Sequence, residues 1–295
     1  MPTIQAIKFI NKTNTTLIMN SHSTSSAPRA LVLSGFGING ELEMAQSFAQ
    51  AGAKADLIHI NDLIANPSEL ENSQILAFPG GFAYGDDLGA GVALANRLRN
   101  NLYDDLLKFI SRDTLTIGIC NGFQMMANLG IVPGLAGDQL GTRKVALKRN
   151  KNGRYNCRWT HIKRMSDKCV FLRGIDVLSI SVGHGEGNFY AEPEVLDELK
   201  ANDQIAVQYC DAEGKAADGM FPLNPNGAME DIAGICDHTG RIFALMPHPD
   251  RFLTAYSQPD WTLQKEIAKR KGEHFSDESP AQKIYQNAVN YFVAS

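Results

Sequence analysis

Residues 115–122 read Leu115-Thr116-Ile117-Gly118-Ile119-Cys120-Asn121-Gly122, and the interpretation of this stretch decides the fold. Leu115–Ile119 is a short apolar run rich in β-branched residues, as in a buried strand. Just beyond it, Phe123, Met125, Met126 and Leu129 begin a helical period. The junction has the G-x-nucleophile-x-G form of a strand-to-helix elbow, with cysteine where esterases carry serine. Glycines flank the central residue because the turn is sharp and small neighbours leave room for a substrate. Such a turn lifts the sulfur above the sheet and sets it at a helix N-terminus, whose dipole favours negative charge. A cysteine that ends a strand is also a common core thiol. On this motif alone, nucleophile and core residue both stay open.

Strand and helix alternate upstream of the elbow. Ala30–Ser34 reads as a strand, Gly35–Gly40 as a turn, and Glu41–Ala51 as an amphipathic helix with Leu42, Ala45, Phe48 and Ala49 on one face. Ala55–Ile60 and Ile75–Phe78 are further strands, and Leu88–Ile110 is mainly helical. Continuous apolar strands between helices imply a parallel sheet covered on both faces. After residue 140 the pattern changes to short strands at 145–147, 155–162, 177–182, 205–209, 232–236 and 241–246, with turns at Asn152-Gly153 and Thr239-Gly240. These are antiparallel additions to the sheet or its edge, and Gln282–Val293 closes the chain as an amphipathic helix. The expected class is α/β, a mostly parallel sheet with helices on both faces and antiparallel strands added in the second half. Residues 29–295 are expected to form one domain. Residues 1–28 contain no Asp or Glu and end in a Ser/Thr-rich segment, so they read as an N-terminal extension.

Composition narrows the function classes. With 28 basic and 32 acidic residues and a net charge of −4, the chain has no electrostatic footprint for nucleic acid or an anionic membrane. No apolar run approaches the ~20 residues of a membrane span. The five cysteines, at 120, 157, 169, 210 and 236, are odd in number and scattered, which points to a reducing cytoplasm rather than a disulfide framework or a structural zinc site.

Three other segments carry polar chemistry. Phe78-Pro79-Gly80-Gly81-Phe82 follows a strand, where ligands bind in open parallel sheets, and its glycines can turn backbone N–H groups towards an oxyanion; a plain glycine-rich turn fits it equally. Met246-Pro247-His248-Pro249-Asp250-Arg251 also follows a strand. In extended chain, residues two apart point the same way, so Asp250 can orient His248, and a carboxylate-held imidazole is what a thiol nucleophile needs. A surface turn with an incidental histidine is the alternative. His184-Gly185-Glu186-Gly187-Asn188-Phe189 suggests close backbone approach to a ligand; His184 and Glu186 have no third metal ligand nearby in sequence, so no metal site is expected.

Taken in order, the glycine-rich turn, the cysteine elbow, the HGEG segment and the final His-x-acid resemble class I, triad-type glutamine amidotransferases. PGGFAYGDDLGAG, GICNGFQ, Arg158-Trp159, HGEGNF, NPNGA and MPHPDR are similar, more narrowly, to the glutaminase subunits or domains of phosphoribosylformylglycinamidine synthases, over roughly residues 30–295. The resemblance implies a flavodoxin-like fold. It implies that Cys120 attacks the glutamine carboxamide to form a thioester, that His248 serves as base and then acid, and that Asp250 orients it. Backbone N–H groups near Gly81 and Phe82, with that of Asn121, would hold the oxyanion; Gln124 would help hold glutamine, and Asn188 and Phe189 would meet its amino-acid end. The implied partners are a synthetase subunit that uses ATP and magnesium to amidate formylglycinamide ribonucleotide, and a small bridging subunit. No cofactor is expected on this chain, and no G-x-x-x-x-G-K phosphate loop occurs in it.

The chain departs from that family pattern at three places. Asp250 stands where Glu is usual, so a backbone shift or a bridging water is expected to make up the missing methylene. Ala83 and Asp87 alter the usual SYGDY, and Gly40 stands where many relatives have Cys; neither change is expected to touch the triad. The 257–279 stretch is expected to be a loop or a partner-docking surface, a loop being the simpler reading. Two other functions compete: a different α/β cysteine hydrolase, and a glutaminase-like regulatory or scaffold subunit without turnover.

Overall fold

One mixed sheet organises the chain. A computed structural model describes residues 27–137 and 140–293. Its strands are β1 (Arg29–Ser34), β2 (Lys54–His59), β3 (Ile75–Phe78), β4 (Leu115–Ile119), β5 (Val145–Lys148), β6 (Asn156–Arg164), β7 (Val177–His184), β8 (Asn188–Ala191), β9 (Ile205–Cys210), β10 (Ile232–Cys236) and β11 (Ile242–Leu245). Its helices are α1 (Glu41–Gln50), α2 (Ile60–Ala65), α3 (Val92–Ser111), α4 (Asn121–Leu129), α5 (Pro193–Ala201), α6 (Trp261–Lys271) and α7 (Gln282–Val293).

Nine strands pair in the order β2-β1-β3-β4-β11-β10-β9-β6-β7. The pairs from β2 to β11 are parallel. Their order is the flavodoxin-like one, in which ligands lie beyond the carboxyl ends of the strands. The pairs from β11 to β7 are antiparallel. β5 and β8 form a separate antiparallel ribbon. The α/β, flavodoxin-like sheet with antiparallel strands added in the second half is therefore what forms. β3, β4 and β11 are buried at every residue, as a sheet covered on both faces requires. The cover consists of α1 packed with α7 and α3 packed with α4. Phe48 meets Tyr285 edge-on with ring centroids 5.0 Å apart and locks α1 to α7. Each fully buried aromatic of this kind contributes about 1.5–3 kcal/mol through burial.

Some expectations need correcting. α3 starts at Val92, not Leu88, because Gly91 takes φ 70° and breaks the chain into a turn before it. α2, β8 and α5 went unread. The 257–279 stretch is not all loop: it contains α6, no residue of which is buried. Of the expected N-terminal extension, residues 1–26 lie outside the described residues. No helix among the described residues is long and apolar enough to cross a membrane.

Candidate active site

β3, β4 and β11 are neighbours in the sheet, so the three segments following them meet side by side. The elbow after β4 is sharp in fact. Cys120 has φ 52° and ψ −107°, a conformation that costs a non-glycine residue about 1–3 kcal/mol. Its N–H donates to the Leu245 carbonyl at 2.8 Å, which ties the elbow to β11. The flanking glycines are there for space: a Cβ on Gly118 would lie 2.3 Å from Met126 Sδ, and one on Gly122 would lie 1.9 Å from the Phe78 carbonyl oxygen. Cys120 is 6% exposed, and its thiol points towards the Gly183 carbonyl at 3.9 Å.

His248 and Asp250 are completely buried. The imidazole Nδ1 lies 3.2 Å from Asp250 Oδ1 and 3.5 Å from Oδ2. No bridging water is needed between them: the segment bends at Met246, Pro247 and Pro249 and turns at Asp250, which brings the two side chains together. The His248 N–H donates to the Ser181 carbonyl at 2.8 Å, which fixes the backbone of the segment to β7. With Nδ1 on Asp250, the remaining ring nitrogen Nε2 is buried and has no partner of its own. Burial pushes the His248 pKa down, but the charge of Asp250 and the neighbouring Cys120 sulfur outweigh it and raise the value to about 9. His248 is thus a strengthened base beside the sulfur and, once protonated, a proton source for a leaving group.

Gly80 makes this contact possible: a Cβ there would lie 2.9 Å from His248 Cε1 and 3.6 Å from Cys120 Cβ. Gly40 has a similar role on the far side, where a Cβ would stand 3.2 Å from Asp250 Oδ2. The expectation that position 40 does not touch the triad is corrected accordingly. Gly40 reaches the acid because its N–H and that of Asn39 both donate to the Gly80 carbonyl, at 3.1 and 3.2 Å.

Of the three backbone N–H groups expected to face an oxyanion, two are unengaged. The Phe82 N–H donates to the Gly37 carbonyl at 2.7 Å, so it is not free for a substrate. Ile38 and Gly81 form an antiparallel bridge, which turns the Gly81 N–H away from Ile38. The Asn121 N–H begins α4 and has no acceptor within the helix. Gly81 and Asn121 are therefore the available pair. The Asn121 side chain instead pins the glycine-rich turn over the elbow: Oδ1 accepts from the Ala83 N–H at 3.0 Å, and Nδ2 donates to Asp86 at 3.1 Å.

Above the sulfur lies a cavity of about 180 Å³ lined by Gly81, Phe82, Cys120, Gln124, Tyr155 and His184, among others. A larger cleft of about 480 Å³, between Pro67 and Arg112, is lined by no cysteine or histidine, so chemistry rather than size marks the site. Gln124 lines the cavity, but its amide is already engaged by Asn121 Nδ2 and the Glu186 carbonyl. Neither Asn188 nor Phe189 lines it. Phe189 is fully buried and packs on Phe123 of α4, while Asn188 pairs with Lys148 in the β5–β8 ribbon; the strand that follows HGEG carries both away. Sequence reading missed Asp86, Tyr155 and Glu186 at the cavity. Burial raises the Asp86 pKa above its ordinary value, against hydrogen bonds from Gly91 and Asn121. Asp86 and Glu186 sit in glycine-rich segments already singled out, whereas Tyr155 carried no signal. Among the described residues there is no cluster of His, Cys, Asp and Glu able to hold a metal ion.

A buried thiol, an imidazole held by a carboxylate and two free backbone N–H groups can carry out acyl transfer from a carboxamide through a thioester. Comparison with known proteins agrees with that chemistry. The family described as the CobB/CobQ-like glutamine amidotransferase domain matches residues 27–292. A Methanococcus maripaludis protein, phosphoribosylformylglycinamidine synthase subunit PurQ, is 53% identical over 267 residues, covering 90% of this chain and 97% of that protein. The subunit of the same name from Dehalococcoides mccartyi is 43% identical, with coverage of 90% and 98%. The solved structure of PurLQS from Thermotoga maritima superposes with a TM-score of 0.65 at 23% identity, over 90% of this chain and 99% of that one.

Proposed function

The chain belongs to the CobB/CobQ-like glutamine amidotransferase family, and from that premise we propose that Cys120, His248 and Asp250 form its catalytic triad. It is the glutaminase component of a phosphoribosylformylglycinamidine synthase, a function supported by 53% identity to a subunit of that name over nearly that protein's whole length. His248 takes the Cys120 thiol proton as the sulfur attacks the carboxamide carbon of glutamine. Negative charge gathers on the oxygen, which the Gly81 and Asn121 N–H groups receive. His248 gives its proton to the leaving nitrogen, ammonia departs, and a γ-glutamyl thioester remains on the sulfur. His248 then takes a proton from water, which attacks the thioester and releases glutamate.

The ammonia passes to a synthetase subunit that uses ATP and magnesium to convert formylglycinamide ribonucleotide to its amidine, with a small bridging subunit as a further partner. The sequence resemblance supports these partners. A cytoplasmic setting is consistent with the free cysteines among the described residues.

The observation that carries the proposal is the direct His248–Asp250 contact beside a strained Cys120. The test is glutamine hydrolysis by the chain alone and with its synthetase partner, for wild type and Cys120→Ala. Weak activity alone, stimulation by the partner and loss in the variant are expected. Full activity in the variant overturns the nucleophile assignment. A complex that never hydrolyses glutamine identifies a regulatory subunit instead.

A further inference from the structure

Beneath the HGEG turn lies a buried polar cluster that the triad does not use. His184 ends β7, is 3% exposed, and has no hydrogen-bond partner on either ring nitrogen. It lines the same cavity as Cys120. Asn226 is fully buried beside it. Asn226 Nδ2 donates to the Gly187 carbonyl at 2.9 Å and to the Tyr209 hydroxyl at 2.8 Å, but its Oδ1 has no partner. Both side chains crowd Gly187: a Cβ there would lie 2.6 Å from His184 Nδ1 and 2.8 Å from Asn226 Nδ2. Earlier on β7, the Ser181 hydroxyl is also buried and unpartnered, and its carbonyl holds the His248 N–H. A buried polar atom without a partner costs about 1–3 kcal/mol. A run of such atoms next to a nucleophile marks a place that receives a small polar molecule.

The surroundings select the molecule. Burial, reinforced by the positive charges of His248 and Arg251, lowers the His184 pKa to about 3. His184 is therefore neutral, with one ring nitrogen donating and the other accepting. The Arg251 guanidinium repels ammonium, while uncharged ammonia pays no such penalty.

Building on the glutaminase function above, we propose that His184 is the first binding site for ammonia as it leaves Cys120 and holds it as the free base. An ammonia N–H donates to the bare His184 nitrogen, or the ammonia lone pair accepts from the protonated one. Asn226 and Tyr209 lie behind the Gly187 turn and hold its carbonyl side in place. No proton changes hands, so the lone pair needed for the later attack is preserved. His248 cannot do this, because it must next take the proton of the attacking water.

The test uses the complex with the synthetase and reads amidated product formed per glutamate released. His184→Leu is expected to lower that ratio about fivefold or more, the effect of losing one buried hydrogen bond, because ammonia then escapes to solvent. His184→Gln, which keeps an acceptor, is expected to restore most of it. Synthesis supplied with ammonium salt bypasses the site and reports separately on the partner and on assembly. Should leucine prevent folding, His184→Phe, a ring of similar footprint, gives the same readout. An unchanged product-to-glutamate ratio in the apolar variants overturns the proposal while leaving the glutaminase function intact. No glutamate release by the wild type overturns the glutaminase function, and the proposal with it.

Discussion

Replacing Gly80 by alanine is expected to cripple catalysis while leaving the fold in place. Gly80 is not among the residues with positive φ, so alanine meets no backbone obstacle there, and the whole cost is contact. The new Cβ would stand 2.9 Å from His248 Cε1. Carbon atoms pack at about 3.5–4.0 Å, so the imidazole must give way by roughly 0.6 Å. It has no easy direction in which to move. The ring is fully buried, Nδ1 is held by Asp250, and the backbone N–H is held by Ser181. Displacement therefore breaks the alignment among sulfur, imidazole and carboxylate. Since a misplacement of about 1 Å costs roughly 10²-fold, a kcat loss of about 10–100-fold is expected. Overpacking costs a further 1–3 kcal/mol or so of stability. The assay is steady-state glutamine hydrolysis with saturating synthetase partner, beside urea unfolding of the same preparation. The KM for glutamine is expected to change little, because the collision is with catalytic groups rather than with the cavity mouth. A kcat within about twofold of wild type, at native stability, would refute the steric reasoning.

Three further outcomes follow from the same geometry. Cys120→Ala and Cys120→Gly are both expected to be inactive, but glycine relieves the left-handed backbone at position 120 and is expected to be the more stable of the two by about 1 kcal/mol in denaturant titration; an equal or lower value contradicts the strain. His248 titrates at about 9 against an ordinary 6.5, so its contribution to stability is fully present below pH 6.5 and is lost as pH rises through 9. Asp250→Asn is expected to abolish that window and to lower kcat by about 10²–10⁴-fold, as seen when a triad acid loses its charge; an unchanged His248 titration by NMR removes Asp250 from the role. Phe189→Ala is expected to cost about 3–5 kcal/mol of stability as a core deletion, whereas Asn188→Ala leaves KM for glutamine within about twofold; a large KM increase in Asn188→Ala would return it to the substrate site.

The parts legible in sequence were those whose physics is local. β3 and β10 are buried on both faces and wholly apolar, and β1 and β4 nearly so, which announces a strand directly. The elbow was legible because Gly118 and Gly122 are demanded by atoms a few residues away or in the adjoining strand end. The pairing of Asp250 with His248 is legible in their two-residue spacing, although the segment bends there rather than running extended. What failed was non-local or lacked a buried face. α6 has no buried residue, so nothing in its sequence has to alternate. Phe82 was assigned an oxyanion role because it adjoins Gly81, yet its N–H pairs with Gly37, more than forty positions earlier in the chain, through a bridge that no local pattern announces. Phe189 was assigned to substrate because HGEG precedes it, although an aromatic side chain in a new strand finds Phe123 and the core. The unpartnered nitrogens of His184 are a tertiary fact, set by Gly187 and Asn226 closing over the ring.

The central claim is that Cys120 carries the γ-glutamyl group, and rapid quenching of the complex during glutamine turnover, followed by mass spectrometry of the peptide containing Cys120, tests it most directly. The account predicts a γ-glutamyl adduct on Cys120 that forms and decays with turnover in wild type, persists longer in Asp250→Asn, and is absent from Cys120→Ala. Steady glutamate release from a wild-type complex that never carries the adduct, or an adduct found on Cys157, Cys169, Cys210 or Cys236 instead, would contradict it.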